Sequence, residues 1–236
     1  MAGQITGLVA VMEALSSGIP IDRVLVDREH DTADLRRLCE ELNVPLDEGS
    51  TNDLWRMSAD GAQVALALTG RTQHETLDEV MKGGGCVWLF DGVEYSTNLG
   101  FAIRTAEVSG ADAVLLNVVK THEERRTIRR ASMRADRFIP VIYTTTEQIL
   151  ITAKENGFRI VAAEDIGTHG PWDEDLTGNV LLVVGAERHG VSQEVLEASD
   201  AVVKLPMDGF VPSYNLQVAV SVLAVEALHQ RQSRRN

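Results

Sequence analysis

From residue 86 onward, short apolar runs alternate with stretches whose apolar positions recur every three to four residues. The runs at 87–90, 113–116, 138–142, 159–163, 181–184 and 201–205 predict strands. Helices are predicted over 98–109, 123–131 and 147–156, with a short one after Gly190 and a long apolar one from about 215 to 231. Strand and helix in strict alternation predict a parallel sheet covered on both faces. The runs 181–184 and 201–205 each end in a polar turn, Gly185, Glu187 and Gly190 after the first and residues 207–215 after the second. A third turn, 91–97, follows the run 87–90. Ligands of open α/β sheets bind beyond the carboxyl ends of the strands, so these turns predict one pocket. Asn98 is placed to cap a helix running through Phe101, Ala102, Thr105, Ala106 and Val108 to Gly110. Arg104 would then lie less than two turns from the helix start, within reach of the loop.

The first part of the chain has a different rhythm. Residues 5–15 read as a helix with Ile5, Leu8, Val9, Met12 and Leu15 inward. A strand at 24–26, a helix at 32–43 and a short strand at 44–46 follow, the last containing Pro45 and so placed at a sheet edge. A helical turn at 52–58 and a strand at 63–68 complete a small α/β unit. Thr72 and Glu75 form a capping box for a helix over 73–81, which Gly83, Gly84 and Gly85 interrupt. No Lys-Ser or Lys-Thr follows the glycines, so they read as a flexible joint rather than a phosphate loop. The division predicted is a small domain over 1–70, a linker helix and glycine joint over 71–85, and a larger domain over 86–236.

Charge changes the picture in one region. A net charge of −13 argues against a simple electrostatic nucleic-acid binder. Yet Arg125, Arg126, Arg129, Arg130, Arg134 and Arg137 stand within thirteen residues that hold one acid, Asp136. Their spacing places Arg126, Arg129, Arg130, Arg134 and Arg137 along one helical face, which reads equally as a solvated stripe or an RNA-binding one. Cys39 and Cys86 stand apart and suggest neither a disulfide nor a metal site. No apolar stretch is long enough to span a bilayer, and the start lacks the basic segment of a signal peptide, so a cytoplasmic protein is expected. The turn VVGAERHG lacks the G-x-G-x-x-G spacing of a dinucleotide site.

Three ordered stretches, DGVEYSTNLGFAIRTAEVSGADAV, VVGAERHGVS and LPMDGFVPSYNLQVAV, resemble the motifs of the SpoU/TrmH branch of the SPOUT RNA methyltransferases, across roughly two thirds of the chain. The resemblance implies a small N-terminal α/β substrate-binding domain followed by a parallel-sheet methyltransferase domain with a C-terminal trefoil knot. It also implies S-adenosylmethionine as cofactor, an RNA ribose 2′-hydroxyl as acceptor, a homodimer and no metal. The front domain resembles that of the ribosomal RNA enzymes and points to 23S ribosomal RNA. The GAERHGVS and LPMDGF stretches lean toward transfer RNA, and an inactive RNA-binding paralogue is the rival of another class.

By this resemblance Arg104 acts on the 2′-hydroxyl. A guanidinium donates only, so a phosphate clamp or alkoxide stabiliser is its natural role. Asn98 would fix the loop that positions Arg104, and Glu187 would orient Arg104 or the RNA. Ser213 and Asn215 would tie the third loop together, although Ser213 also reads as the cap of the last helix. Gly185, Leu205, Met207 and Tyr214 match the cofactor-binding positions, Gly185 because a missing Cβ lets a ligand approach the main chain. Arg126, Arg130 and Arg134 would meet RNA. Three positions depart from the family pattern: Tyr214 where leucine is usual, Arg134 in a turn of small residues, and Arg188-His189 after the motif glutamate. Dimer contacts are expected through the helix starting at Asn98 and the last helix, whose Val218, Val222, Val225 and Leu228 would equally suit an internal core.

Overall fold

The computed structural model describes residues 3–58, 60–61, 64–70, 76–211 and 213–234. It comprises two compact units, Met1–Gln73 and His74–Asn236.

In the first unit β1 (Gly3–Thr6), α1 (Leu8–Ser16), β2 (Arg23–Asp27), α2 (Ala33–Glu41), β3 (Leu46–Gly49), α3 (Thr51–Met57) and β4 (Ala65–Thr69) follow in order. The sheet runs β1-β4-β2-β3, with β4 antiparallel to both neighbours and β3 parallel to β2. Its core gathers Val11, Leu15, Val24, Val26, Leu35 and Ala67. Two expectations are corrected. The predicted helix over 5–15 begins as β1, with Ile5 opposite Ala67, and Val9 faces solvent. Ile5 and Leu8 mimic a helical interval, but pairing with β4 decides the conformation, and Gly7 turns the chain at φ 92°. The edge strand lies at Leu46–Gly49 rather than 44–46, because Pro45 has no N–H and contributes only its carbonyl, to Val24 N at 2.9 Å. The capping box foreseen at Thr72 and Glu75 lies outside the described residues, as do Ala62 and Gln63.

The second unit opens with α4 (Leu77–Gly83), capped reciprocally by Thr76 and Glu79. Then come β5 (Cys86–Asp91), α5 (Ser96–Val108), β6 (Ala113–Leu116), α6 (His122–Ala131), β7 (Val141–Tyr143), α7 (Thr146–Glu155), β8 (Arg159–Ala163), β9 (Val180–Gly185), α8 (Gln193–Ala198), β10 (Ala201–Val203) and α9 (Leu216–Ser233). All six strands are parallel, in the order β10-β8-β9-β5-β6-β7. Alternate residues of β5 feed two cores. Trp88 and Phe90 pack with α5 and α9 residues such as Ile103 and Leu223, while Val87 and Leu89 pack with Met81, Ile149 and Val195. A strand buried on both faces has no polar side to show, which is why these runs are continuously apolar.

The glycines at 83–85 are no loose joint. Gly85 N donates to Asn179 Oδ1 at 2.9 Å, and Cys86 N donates to Asp112 Oδ2 at 2.7 Å, so the entry to β5 is tied down. Strand β7 is shorter than the predicted 138–142, since a 3₁₀ turn at Ala135–Arg137 and then Pro140 precede it. On α9, Val220, Leu223, Ala224 and Ala227 are buried, whereas Val218, Val222 and Val225 are exposed. The last three therefore form a second apolar face that the internal core does not use.

Candidate functional site

A cavity of about 660 Å³ opens at the carboxyl ends of β8 and β9. Its wall includes Gly185, Leu205, Met207 and Tyr214, and also Glu187, Ser213 and Asn215. Strand β8 lies between β9 and β10, so it contributes to the wall as well, through Glu164 and Asp165. The sequence reading overlooked Glu164. Its signal was an acid directly after a predicted strand end, where ligand-facing groups collect.

Glu164 holds the β9 turn. Its Oε1 accepts from Val191 N and its Oε2 from Asp165 N, while its own N–H donates to Val203 O at 2.9 Å. Within the turn, Ala186 and Gly190 exchange backbone hydrogen bonds of 3.0 and 2.9 Å. A Cβ on Gly185 would lie 1.9 Å from Gly190 C and 2.1 Å from Val191 N. Gly185 is thus required by its own returning chain.

Asn98 does not cap α5. The helix starts at Ser96 with Tyr95 at the cap position, and Asn98 sits in the first turn. Its Nδ2 donates instead to Glu187 Oε1 at 2.7 Å, joining the helix start to the β9 turn. Glu187 Oε2 is buried and has no hydrogen-bond partner among the described residues. Beside this pair, Arg188 Nη2 donates to Tyr95 Oη at 3.4 Å, and that bond, with the charge of Glu94, pushes the Arg188 pKa upward. Deeper in, Asp91 accepts from Asn117 Nδ2 and from Ser192 N, fastening the end of β5 to the start of α8.

Arg104 is elsewhere. It lies beyond the second turn of α5, on the exposed side of that helix with Phe101 and Val108, and is not part of the cavity wall. Glu187 accordingly orients Asn98 within this chain rather than Arg104. The cap of α9 is Asn215, whose Oδ1 accepts from Gln217 N at 2.9 Å, and Ser213 is an exposed wall residue. Tyr214 donates its hydroxyl to Pro206 O at 2.9 Å, closing the loop between β10 and α9.

The arginines do not share one helical face. Helix α6 ends at Ala131, so Arg126 and Arg130 are exposed helical residues. Arg134 lies in a left-handed turn at φ 65°, and Arg137 in the 3₁₀ segment. Burial pushes the Asp136 carboxyl above its ordinary value, against the opposing charges of Arg134, Arg129 and Arg137. Arg125 stacks over the Tyr143 ring at 4.3 Å. Among the described residues no group of His, Cys, Asp and Glu is arranged to hold a metal, and no helix is long and apolar enough to cross a membrane.

Comparison with known proteins adds to this geometry. The model of the SpoU rRNA Methylase family matches residues 86–225. A putative TrmH family tRNA/rRNA methyltransferase of Staphylococcus aureus (strain MSSA476) is 26% identical over 237 residues, covering 96% of each chain. The 23S rRNA (guanosine-2′-O-)-methyltransferase RlmB of Pseudomonas putida KT2440 is 32% identical over 167 residues, 70% of this chain and 67% of that one. The crystal structure of the SpoU methyltransferase AviRb from Streptomyces viridochromogenes, in complex with AdoMet, shares the fold. Its TM-score is 0.61 at 20% identity, covering 98% of this chain and 91% of that one.

Proposed function

Since this chain belongs to the SpoU rRNA methylase family, we propose that it is an S-adenosylmethionine-dependent RNA ribose 2′-O-methyltransferase acting on 23S ribosomal RNA. One observation carries the proposal. Turns far apart in sequence meet at a single cavity, two forming its wall and the third bonded to it through Asn98 and Glu187.

The wall suits the cofactor. Val184, Leu205 and Leu216 offer apolar surface for an adenine, and Glu164, Asp165 and Glu187 offer carboxylates to a cationic sulfonium. Gly185, Leu205, Met207 and Tyr214 would hold it. S-adenosylmethionine supplies an activated methyl group, so the chain's own task is chiefly positioning, which contributes as much as about 7–11 kcal/mol in favourable model reactions. Asn98 fixes the Glu187 carboxylate through Oε1, and the buried Oε2 keeps its acceptor capacity unspent beside the cavity. Ser213 and Asn215 shape the facing loop.

Arg104 enters through a homodimer. The exposed Phe101 and Val108 of α5 and Val218, Val222 and Val225 of α9 form the surface to be covered, and a two-fold contact there delivers Arg104 to the partner's cavity. Residues 1–70 serve as the RNA substrate domain, with Arg126, Arg130 and Arg134 as further RNA contacts, and the trefoil knot belongs to the same reading. The test is transfer of labelled methyl from S-adenosylmethionine to unmodified 23S ribosomal RNA and transfer RNA transcripts, with the modified position mapped. Arg104→Ala should abolish transfer while cofactor affinity stays within a few fold. Retained turnover would remove Arg104 from the chemistry, and methylation of transfer RNA alone would replace the substrate.

A further inference from the structure

Bonded to the cavity wall through Arg188 is an aromatic ring that the methyl-transfer reading does not use. Tyr95 stands at the start of α5 and is 48% exposed although it lies next to the buried end of β5. Its hydroxyl accepts from Arg188 Nη2 at 3.4 Å. Arg188 is itself exposed and lines the cavity. Two parallel links therefore join the β9 turn to the start of α5. Glu187 with Asn98 is the inner one and Arg188 with Tyr95 the outer.

We infer that Tyr95 and Arg188 form a nucleobase clamp, in which the Tyr95 ring stacks on an unpaired base of the RNA beside the reacting ribose and Arg188 braces the ring and faces the RNA strand. The inference rests on the cavity being the site of RNA methylation. Single-stranded RNA is recognised by splaying bases onto aromatic and guanidinium planes. Such stacking matters more in a chain of net charge −13, which cannot depend on phosphate contacts alone. A stacked base also anchors its own ribose, so the clamp would hold one sugar at the cavity beside Glu187 and exclude duplex RNA, whose bases are already stacked.

The test uses the full-length protein with saturating S-adenosylmethionine and a short fluorescein-labelled single-stranded RNA followed by anisotropy. Tyr95→Leu should weaken binding about five- to 150-fold, the range of one lost base–aromatic stack. Tyr95→Phe, which keeps the ring and loses the hydroxyl, should weaken it less. Calorimetry should find S-adenosylmethionine affinity within about twofold in each variant, and ultraviolet cross-linking should attach RNA to residue 95 of the unaltered protein. Equal losses for Leu and Phe would overturn the clamp, because the hydroxyl would then be acting only as a staple for Arg188. So would unchanged RNA binding in Tyr95→Leu. Methyl transfer without dependence on Tyr95 sinks the clamp alone. RNA binding that depends on Tyr95, without methyl transfer to any RNA, sinks the methyltransferase reading and leaves a base-stacking site with no reacting ribose beside it.

Discussion

Replacing Gly185 by alanine separates two reasons for a glycine at a strand end. If the missing Cβ serves a ligand, the variant loses S-adenosylmethionine affinity and keeps its stability. The structure argues the other way. The added Cβ would meet main-chain atoms of Gly190 and Val191 at 1.9–2.2 Å, which no side-chain rotation relieves. Ordinary contact begins near 3.4 Å, so the turn must retreat by more than an ångström. Three hydrogen bonds are then at risk: the Ala186–Gly190 pair and the bond from Val191 N to Glu164. At about 0.5–1.5 kcal/mol each, their loss comes to about 1.5–4.5 kcal/mol. For a domain of this size that lowers Tm by roughly 3–18 °C. Scanning calorimetry of the ligand-free protein measures it. Gly178→Ala is the control, since Gly178 has φ 69° with nothing within 4 Å of the added Cβ and carries only the left-handed cost of about 1–2 kcal/mol. A ligand-free Gly185→Ala protein that melts with the unaltered one would refute the packing argument.

Further expectations follow from neighbouring groups. A double-mutant cycle on Asn98→Ala and Glu187→Ala, read by denaturant unfolding, should show a coupling of about 1.5–3 kcal/mol, as for a hydrogen bond to a charged group; additivity would mean the contact is not made in solution. Burial raises the Asp136 pKa above 3.8, so the fold holds that proton more tightly than the unfolded chain and loses stability as pH rises from 3.8 through the raised value. Asp136→Asn should therefore raise Tm at neutral pH and change it little below pH 3.8, and a lower Tm at neutral pH would show that the arginine charges prevail over burial. Burial pushes the Cys86 thiol up to about 12 and the Cys39 thiol upward as well. A thiol-specific chromogenic reagent at mildly alkaline pH should label neither in the native protein and both in denaturant, whereas rapid native labelling would show the cores opening.

The alternation of apolar runs after residue 86 carried the parallel sheet, because a strand buried on both faces must be apolar throughout. Local chemistry also placed the turns beyond β9 and β10, where Gly185, Glu187 and residues 207–215 could be read as lining a hollow. What local pattern could not carry was every choice made by a distant partner. Strand β1 exists because β4 has a free edge, and its four residues hold too little periodicity to outweigh a helical reading. Gly185 is fixed by Gly190 and Val191 folding back on it, and Asn98 is drawn from capping duty by Glu187, 89 residues later. The two faces of α9 look alike in sequence, and only packing against the sheet chose Val220 and Leu223 for the core and left Val218 and Val222 outside. Sequence thus determined which segments are buried and which turns are polar, since burial and backbone preference act through neighbouring residues. The tertiary structure decided partners, because a hydrogen bond or a steric limit between residues far apart has no local signature.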